Sequence, residues 1–314
     1  MSRRVVLLDP LWPLDGVEAT LAGLDVVVEK ADRAEGDDVV AVLAAPEQEV
    51  RVDVLGRCPN LRLAGTCSTG YDNVDVDALS AAGVACLHVS GYCDEEVAEH
   101  AIALAAGLLR GIHRLDGHVR AGGWWPYPRE PRRVRGSLLG IVGFGRIGRL
   151  VAELALANGM RVQAADAFVP DDEVDAAGVS PVSLEELLAT SDVVTLHAPL
   201  LEGTRHLIDA DALIRMRPDA YLVNCARAGL VDHDALGIAL RDGSIAGAAL
   251  DVLPVEPPPA DEPALEWPNL ILQPHAAWYS PEASLAPYTR QIDDVARFLR
   301  GERPTGLIRE VEGP

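Results

Sequence analysis

A short apolar run, Leu138 to Val142, leads without a break into Gly143-Phe144-Gly145-Arg146-Ile147-Gly148. The run is long enough for one buried parallel strand. A helical pattern follows at once, with Ile147, Leu150, Val151, Leu154 and Ala155 on one face, and it stops at Asn158-Gly159. A second strand, Arg161 to Ala165, then delivers Asp166. The order is strand, glycine turn, helix, strand, acid. The acid stands about 20 residues past the glycines, which is the layout of a dinucleotide-binding unit. A bare Gly-x-Gly-x-x-Gly is weak evidence. Set inside a complete strand–helix–strand unit it is specific.

Each part of the unit has a physical task. The first glycine permits a tight turn, the second lets backbone approach a pyrophosphate, and the third lets helix and strand pack closely. The helix N-terminus offers free N–H groups and a partial positive charge to phosphates. Asp166 can accept hydrogen bonds from both adenosine ribose hydroxyls. It would repel the extra phosphate of NADP, and Ala167 and Phe168 supply no cation to offset that. The expected cofactor is therefore NAD(H).

Composition bounds the rest. At 314 residues the chain has room for two domains, and 49% hydrophobic residues can fill their cores. The formal net charge is −21, from 48 acids against 27 bases. That argues against a nucleic-acid surface, where binding depends on neutralising phosphates, and against an anionic membrane. The five cysteines, Cys58, Cys67, Cys86, Cys93 and Cys225, form no C-x-x-C, so neither a disulfide framework nor a zinc site is expected, and a cytoplasmic location fits. Arg3-Arg4 lead directly into a strand, with no signal-peptide pattern. Val97 to Leu109, the most apolar helical stretch, is too short to span a membrane.

Ahead of the glycine unit, short apolar runs at Val5–Leu8, Val26–Val28, Val39–Leu43, Leu61–Ala64 and Val84–Leu87 alternate with helical stretches, the pattern of a parallel sheet with crossover helices. Asp94 to Leu115 reads as one helix, N-capped by Asp94. Its apolar residues Ala98, Ala101, Ile102, Ala105, Leu108, Leu109, Ile112 and Leu115 cover more than one face, so it is expected between domains or between subunits. After the glycine unit, Ser183-Leu184-Glu185-Glu186 opens a helix as a capping box. Further strands are expected at Asp192–His197, Ala220–Asn224, Ile245–Val252 and Leu270–Leu272, making six with the two of the glycine unit. The last helix, Pro281 to Arg300, is expected to return to the first block.

Ligands of open α/β sheets gather at the carboxyl ends of the strands. There this chain carries Arg227, Asp251, Glu256 and His275. An arginine grips a carboxylate with two parallel hydrogen bonds, and a histidine beside a glutamate is held protonated and can deliver a proton at neutral pH. Singly, each has an ordinary reading: a surface fork, a solvated loop acid, a capping histidine. All four at the strand ends of a nucleotide sheet favour a site. Beside a nicotinamide such a set can bind, polarise and reduce a 2-keto acid.

At these residues the chain resembles the D-isomer-specific 2-hydroxyacid dehydrogenases. The resemblance runs through Ser68-Thr69-Gly70-Tyr71-Asp72-Asn73-Val74-Asp75, Val97-Ala98-Glu99-His100, Gly143 to Gly148, and Leu196-His197-Ala198-Pro199-Leu200 with Thr204. It continues through Val223-Asn224-Cys225-Ala226-Arg227, Ala249-Leu250-Asp251-Val252 with Glu256-Pro257, and Pro274-His275. It implies that His275 is the acid/base, that Glu256 raises its pKa and orients it, and that Arg227 binds the substrate carboxylate and carbonyl. Backbone N–H groups of Ser68, Thr69 and Gly70 would hold the carboxylate from the other domain. The cofactor would lie on Gly143, Phe144, Gly145, Arg146, Ile147 and Asp166. His197, Ala198, Pro199 and Thr204 would flank it, with Cys225, Ala226, His275 and Ala277, and Asp251 would bond the nicotinamide amide. Domain closure would exclude water.

Pro274-His275-Ala276-Ala277-Trp278-Tyr279-Ser280 is similar to the C-terminal-binding protein branch, in which the tryptophan matching Trp278 faces the substrate. That branch has an arginine where Thr66 stands, and its arginine–glycine pair is Arg227-Ala228 in this chain. The Trp124–Arg133 loop also departs from that branch. In some dimers of the family this loop reaches the neighbouring site, so Trp124, Trp125, Arg129, Arg132 and Arg133 are candidates for shaping the pocket.

The expected fold is α/β: two doubly wound parallel-sheet domains, with a Rossmann dinucleotide-binding domain (98–282) inserted in a flavodoxin-like substrate domain (1–97 and 283–314). The expected function is NAD-dependent reduction of a 2-keto acid to a D-2-hydroxy acid by a homodimer. Two alternatives stand beside it: an NAD(H)-sensing interaction protein, and a dehydrogenase for an unusual acid such as a phosphonate-bearing keto acid.

Overall fold

The computed structural model describes residues 3–9, 12–125 and 130–309. In chain order the first strands are β1 (Arg3–Leu8), β2 (Val26–Lys30), β3 (Val39–Ala44), β4 (Leu63–Thr66) and β5 (Ala85–Leu87). Next come β6 (Leu138–Val142), β7 (Arg161–Ala165), β8 (Ser180–Pro181), β9 (Val193–Leu196), β10 (Tyr221–Asn224), β11 (Gly247–Leu250) and β12 (Leu270–Leu272), and last β13 (Leu307–Arg309). Two compact units result, Met1–Cys93 with Ser280–Pro314, and Asp94–Tyr279. The crossings expected from the sequence lie at 97/98 and 282/283. In the structure the units change over where helices begin, at Asp94 and at Ser280, whose hydroxyl accepts the Ala283 N–H and caps the Pro281–Leu299 helix.

The first unit is a sheet of order β13-β5-β4-β3-β1-β2. Strands β1 to β5 pair in parallel, and β13 adds an antiparallel edge that no periodicity announced. Side chains alternate across it as the pleat requires. Val5, Leu7, Ala41 and Leu43 pack into one core, and Val6, Leu8, Val42 and Ala44 into the other. The Pro281–Leu299 helix sends Ile292, Val295 and Ala296 into the first of these.

The second unit is an all-parallel sheet of order β12-β11-β10-β9-β6-β7-β8. Strands β9, β10 and β11 are buried throughout, as strands covered by helices on both faces must be. Strand β8 is a seventh strand beyond the six expected, two residues ending in proline and so too short for any pattern. The chain runs from β6 out to β7 and β8 and then returns to β9 on the other side of β6. That reversal opens the crevice between β6 and β9 where ligands of such sheets bind.

The helix expected over Asp94–Leu115 is two helices, Asp94–Arg110 and Ile112–Arg120. Gly111 divides them at φ 62°, a left-handed conformation that glycine enters without a Cβ clash. Asp94 is the first helical residue rather than the cap, and its carboxylate accepts from Arg146 Nε at 2.8 Å. Ala98, Ala101, Ala105, Leu108 and Leu109 are buried within the unit. Beyond the break Ile112, Val119, Trp124 and Trp125 are exposed, beside the solvent-facing ion pair of Arg120 with Asp116.

Among the loop residues expected to shape a pocket, Arg129 lies outside the described residues. Arg132 is committed elsewhere. It pairs with Asp192 and Asp219 and donates to the Asp219 carbonyl at 2.8 Å. Asp192 is buried, and it also accepts the Leu138 N–H at 2.8 Å, so this arginine fastens the start of β6.

Candidate active site

The crevice of the second unit is built on glycines. Gly143 leaves β6 at φ 94°, and its N–H donates to the Ala165 carbonyl at 2.9 Å. A Cβ on Gly143 would come within 2.7 Å of Ala198 N, so the exits of β6 and β9 touch backbone to backbone. A Cβ on Gly148 would sit 2.2 Å from the Gly143 carbonyl oxygen, so the helix Arg146–Ala157 can start only against a bare Cα. Gly145 caps that helix and has nothing within 4 Å of the place a Cβ would take. Open space at a helix N-terminus whose first N–H groups lack intrahelical acceptors fits a pyrophosphate.

Asp166 stands at the exit of β7. Its Oδ2 accepts the Phe144 N–H at 2.7 Å, and its Oδ1 accepts the N–H groups of Phe168 and Val169 at 2.8 and 3.0 Å. Partial burial pushes this carboxyl up, but the three N–H donors outweigh it and hold it below the usual carboxylate range. A fixed negative charge therefore faces the sheet edge, with lone pairs left for further donors. His197, after β9, lies 2.9 Å from the Thr195 hydroxyl, and desolvation pushes its pKa down to about 4, so it is neutral. The Thr204 hydroxyl donates to the Pro199 carbonyl and accepts the Leu201 N–H, both at 2.7 Å, which shapes the turn after Ala198. Gly145, the helix start and Asp166 together fit a dinucleotide.

Three strand exits further along the sheet carry the titratable groups. After β10, the fully buried Asn224 donates from Nδ2 to the Arg227 carbonyl at 2.9 Å and accepts the Ala226 N–H at 3.0 Å. This side-chain turn sets the course of Cys225, Ala226 and Arg227. Arg227 Nη1 donates to the Ala226 carbonyl at 2.9 Å. Burial pushes the Cys225 thiol up, which removes it as a nucleophile at neutral pH.

After β11, Asp251 is buried and accepts the N–H groups of Ala276 and Ala277, each at 2.9 Å. Its carbonyl accepts the His275 N–H at 2.8 Å. These bonds hold His275 at φ 54°, a left-handed conformation that costs a residue with a Cβ of order 1 kcal/mol or more. Thus oriented, His275 Nδ1 meets Glu256 Oε2 at 2.6 Å, while Glu256 Oε1 accepts the Leu253 N–H at 2.8 Å. Burial raises Glu256, but the bonds from His275 and Leu253 bring it below its ordinary value. The bond to Glu256 raises His275 against desolvation and against the Arg227 charge. An ionised carboxylate only accepts, so Nδ1 carries a proton, and Nε2 is the nitrogen left for chemistry. Both side chains remain partly open to solvent, at 42% for His275 and 36% for Glu256. Trp278 follows, its ring edge-on to Tyr279 at 5.4 Å.

The loop Ser68–Gly70 belongs to the first unit. Ser68 Oγ donates to the Gly70 carbonyl at 2.6 Å, Val89 N–H donates to the Ser68 carbonyl at 3.0 Å, and Thr69 Oγ1 donates to the Val89 carbonyl at 3.2 Å. His88 Nδ1 lies 2.8 Å from the Thr69 carbonyl, and Asn73 Nδ2 donates to Thr66 Oγ1 at 3.2 Å. The N–H groups of Ser68, Thr69 and Gly70 have no acceptor among the described residues, which leaves consecutive donors suited to an anion. Asn224 and Asn73 stand in the motifs of the sequence without a role of their own, and His88 stands in none; the structure gives all three a part in shaping these loops. An asparagine closing a strand is a turn signal that singles out Asn224; nothing comparable marks His88.

Residues 102–277 match the family model described as D-isomer specific 2-hydroxyacid dehydrogenase, NAD binding domain. A glycerate dehydrogenase of Methylorubrum extorquens is 38% identical over 291 residues, 89% of this chain and 88% of that protein. A glyoxylate reductase of Korarchaeum cryptofilum is 38% identical over 289 residues, 91% of this chain and 86% of its own. Among solved structures, a glyoxylate reductase from Paecilomyes thermophila superposes with a TM-score of 0.88 at 28% identity, covering 99% of both chains. A D-lactate dehydrogenase of Aquifex aeolicus, complexed with NAD and lactic acid, gives 0.86 at 27% identity over 96% of each chain.

The Asp251 bonds generate a test. Asp251→Asn would put an amide N–H₂ against one of the N–H groups of Ala276 and Ala277. The expected loss is about 1–3 kcal/mol of stability, read as a lower urea midpoint at unchanged slope. An unchanged midpoint would mean that the carboxylate does not hold this turn.

Proposed function

The chain belongs to the D-isomer-specific 2-hydroxyacid dehydrogenase family, and we propose that it reduces a short 2-keto acid to the D-2-hydroxy acid with NADH, His275 being the acid. The observation that carries this reading is the His275–Glu256 pair at 2.6 Å, which keeps a proton on an imidazole beside Arg227. When bound, the nicotinamide supplies the hydride for reduction or takes it in the reverse direction. The chain's residues do the rest. Arg227 grips the substrate carboxylate and draws electron density from the carbonyl. His275 gives its Nε2 proton to the carbonyl oxygen, and Glu256 stabilises the imidazolium beforehand and orients the ring. The free N–H groups of Ser68, Thr69 and Gly70 are assigned to the carboxylate, and Trp278 to the substrate side chain. Asp251, with lone pairs to spare, is assigned to the nicotinamide amide.

Asp166 supports a preference for NADH, since its charge is fixed and Phe168 beside it is neutral. The exposed Ile112, Val119, Trp124 and Trp125 support a homodimer built through the Ile112–Arg120 side. Several buried polar atoms there, both ring nitrogens of His113 among them, have no partner among the described residues, as expected for a face that a second copy covers. The five cysteines are free and buried, and no described helix is long and apolar enough to cross a membrane, both in keeping with a cytoplasmic enzyme.

His275→Asn should lower kcat for 2-keto acid reduction about 10²–10⁴-fold and alter NADH affinity by fluorescence titration far less, because many other residues hold the cofactor. Surviving turnover would remove His275 from the acid role. Reduction needs the protonated imidazole, and Glu256 raises its pKa. kcat/KM for reduction should therefore hold as pH rises past the ordinary histidine value of about 6.5 and fall only above it, while oxidation of the hydroxy acid rises through the same midpoint. A reduction profile that breaks below that value would contradict the pairing.

Asp166→Ala should narrow the NADH-over-NADPH ratio of kcat/KM by about tenfold or more, the worth of a charge-assisted hydrogen bond. A constant ratio would mean that another group reads the ribose. Light scattering should give a mass twice that of the chain, and Ile112→Asp combined with Trp124→Asp should halve it. A wild-type mass of one chain would overturn the dimer.

A further inference from the structure

A second histidine–glutamate pair lies outside the residues used above. His233 Nε2 donates to Glu262 Oε1 at 2.8 Å. Glu262 is 9% exposed, and the same oxygen accepts the Ala264 N–H at 3.1 Å, capping the short turn Pro263–Glu266. The His233 ring lies 4.5 Å from that of Trp267, tilted by 42°. Trp267 is buried and rests on Gly237, where a Cβ would come within 2.5 Å of the indole. Gly237 belongs to the helix His233–Asp242 that His233 opens, so ring, carboxylate and indole are stacked onto one helix end.

The placement of this pair in the chain gives it a further meaning. Glu256 and Glu262 are the two fixed points of one strap, joined by Pro257-Pro258-Pro259-Ala260-Asp261. Proline locks φ, so three in a row narrow the conformations open to the strap between its two ends. At the near end the strap is held by Leu253 N–H and His275, at the far end by His233. His233 is itself a short step from Arg227, through the turn Ala228–Leu230. The pair thus ties the segment that follows Arg227 to the segment that follows Glu256.

We propose that His233 and Glu262 are positioning residues, a clasp that fixes the strap and through it sets how tightly Glu256 holds His275. The inference rests on the reading of His275 as the acid. The charged group on His233 is Glu262 from the strap; the neighbouring Asp232 caps the helix through the Ala235 N–H and lies 3.9 Å from His206. The charged groups facing His275 are Glu256, Asp251 and Arg227. Loosening the clasp gives the Glu256 carboxylate room to move from Nδ1 while Arg227 and desolvation continue to act on the imidazole. The imidazole then holds its proton less well.

The test is an NMR titration of the histidine ring protons of the full chain, with His275 assigned by its disappearance in His275→Asn. His233→Phe keeps a ring against Trp267 and removes the hydrogen bond. It should lower the His275 midpoint by roughly half a unit, a threefold loss in preference for the protonated ring. kcat/KM for reduction above that midpoint should fall by the same factor, in kcat rather than in KM for NADH, and His233→Gln, which can still donate to Glu262, should restore both. A melting temperature that drops while the His275 midpoint stays in place would overturn the proposal and leave the pair a structural cap. If His233→Phe does not fold, Glu262→Gln serves the same readout, because it keeps an acceptor for Ala264 and removes the charge that holds His233. The midpoint is read without turnover, so failure of the clasp and failure of the acid assignment appear in different measurements.

Discussion

Parallel pairing dictates where everything else can be. In a parallel sheet every strand leaves by the same edge, so the residues that follow β6, β7, β9, β10, β11 and β12 come together whatever their separation in sequence. Gly143, Asp166, His197, Arg227, Asp251, Glu256 and His275 span more than a hundred positions and share that edge for this reason. The same geometry ends the strands' ladder bonds there and leaves backbone groups to be satisfied locally. Much of the site's polar structure is the answer to that demand. Asn224 serves the exit of β10, Asp251 serves the residues after β12, and Asp166 serves the turn after β6.

Buried or half-buried carboxylates thus do two things at once in this fold. Asp166 and Glu256 each take backbone N–H groups that would otherwise lack acceptors, and those donors favour the ionised form of both. Asp166 and Glu256 are both held below their ordinary values against the pull of desolvation. The histidines divide by the same logic. His197, with burial and only a hydroxyl for company, is neutral, whereas His275, with a carboxylate at 2.6 Å, has its pKa raised and holds its proton to higher pH. Proximity to the sheet edge does not decide which histidine can act as an acid; the partner does.

This distinction explains what was legible in the sequence. The glycine unit could be read because much of its demand is local: Gly143 turns at φ 94°, and a Cβ at Gly148 would meet the Gly143 carbonyl five positions earlier. Arg227, Glu256 and His275 were legible as residues at strand exits, which periodicity locates. Elements set by long-range pairing were not. The antiparallel β13 and the two-residue β8 exist because a neighbouring strand offers free groups, and neither carries a pattern of its own. Gly111 was visible, but glycine inside an apolar helical run breaks it only when the next turn has no core to enter, and Ile112 has none. Arg132 looked like a free loop cation until Asp192, sixty positions on, appeared beside it.

The segment between Glu256 and Glu262 shows how such long-range demands reach the chemistry. A loop that carries a group on which an imidazole's proton depends must not drift, because that coupling weakens with distance and with water between the partners. Regular structure does not supply the stiffness here: the segment lies between β11 and the turn Pro263–Glu266 and belongs to neither. Its prolines stiffen it from within, and burial of Glu262 against His233 and Trp267 anchors it from outside. A buried carboxylate short of donors is costly, so the His233 bond strengthens an anchor that the Ala264 N–H alone would hold less well. The His275–Glu256 pair at the sheet edge is in this way steadied by a second hydrogen-bonded pair, His233–Glu262, that is better shielded from water.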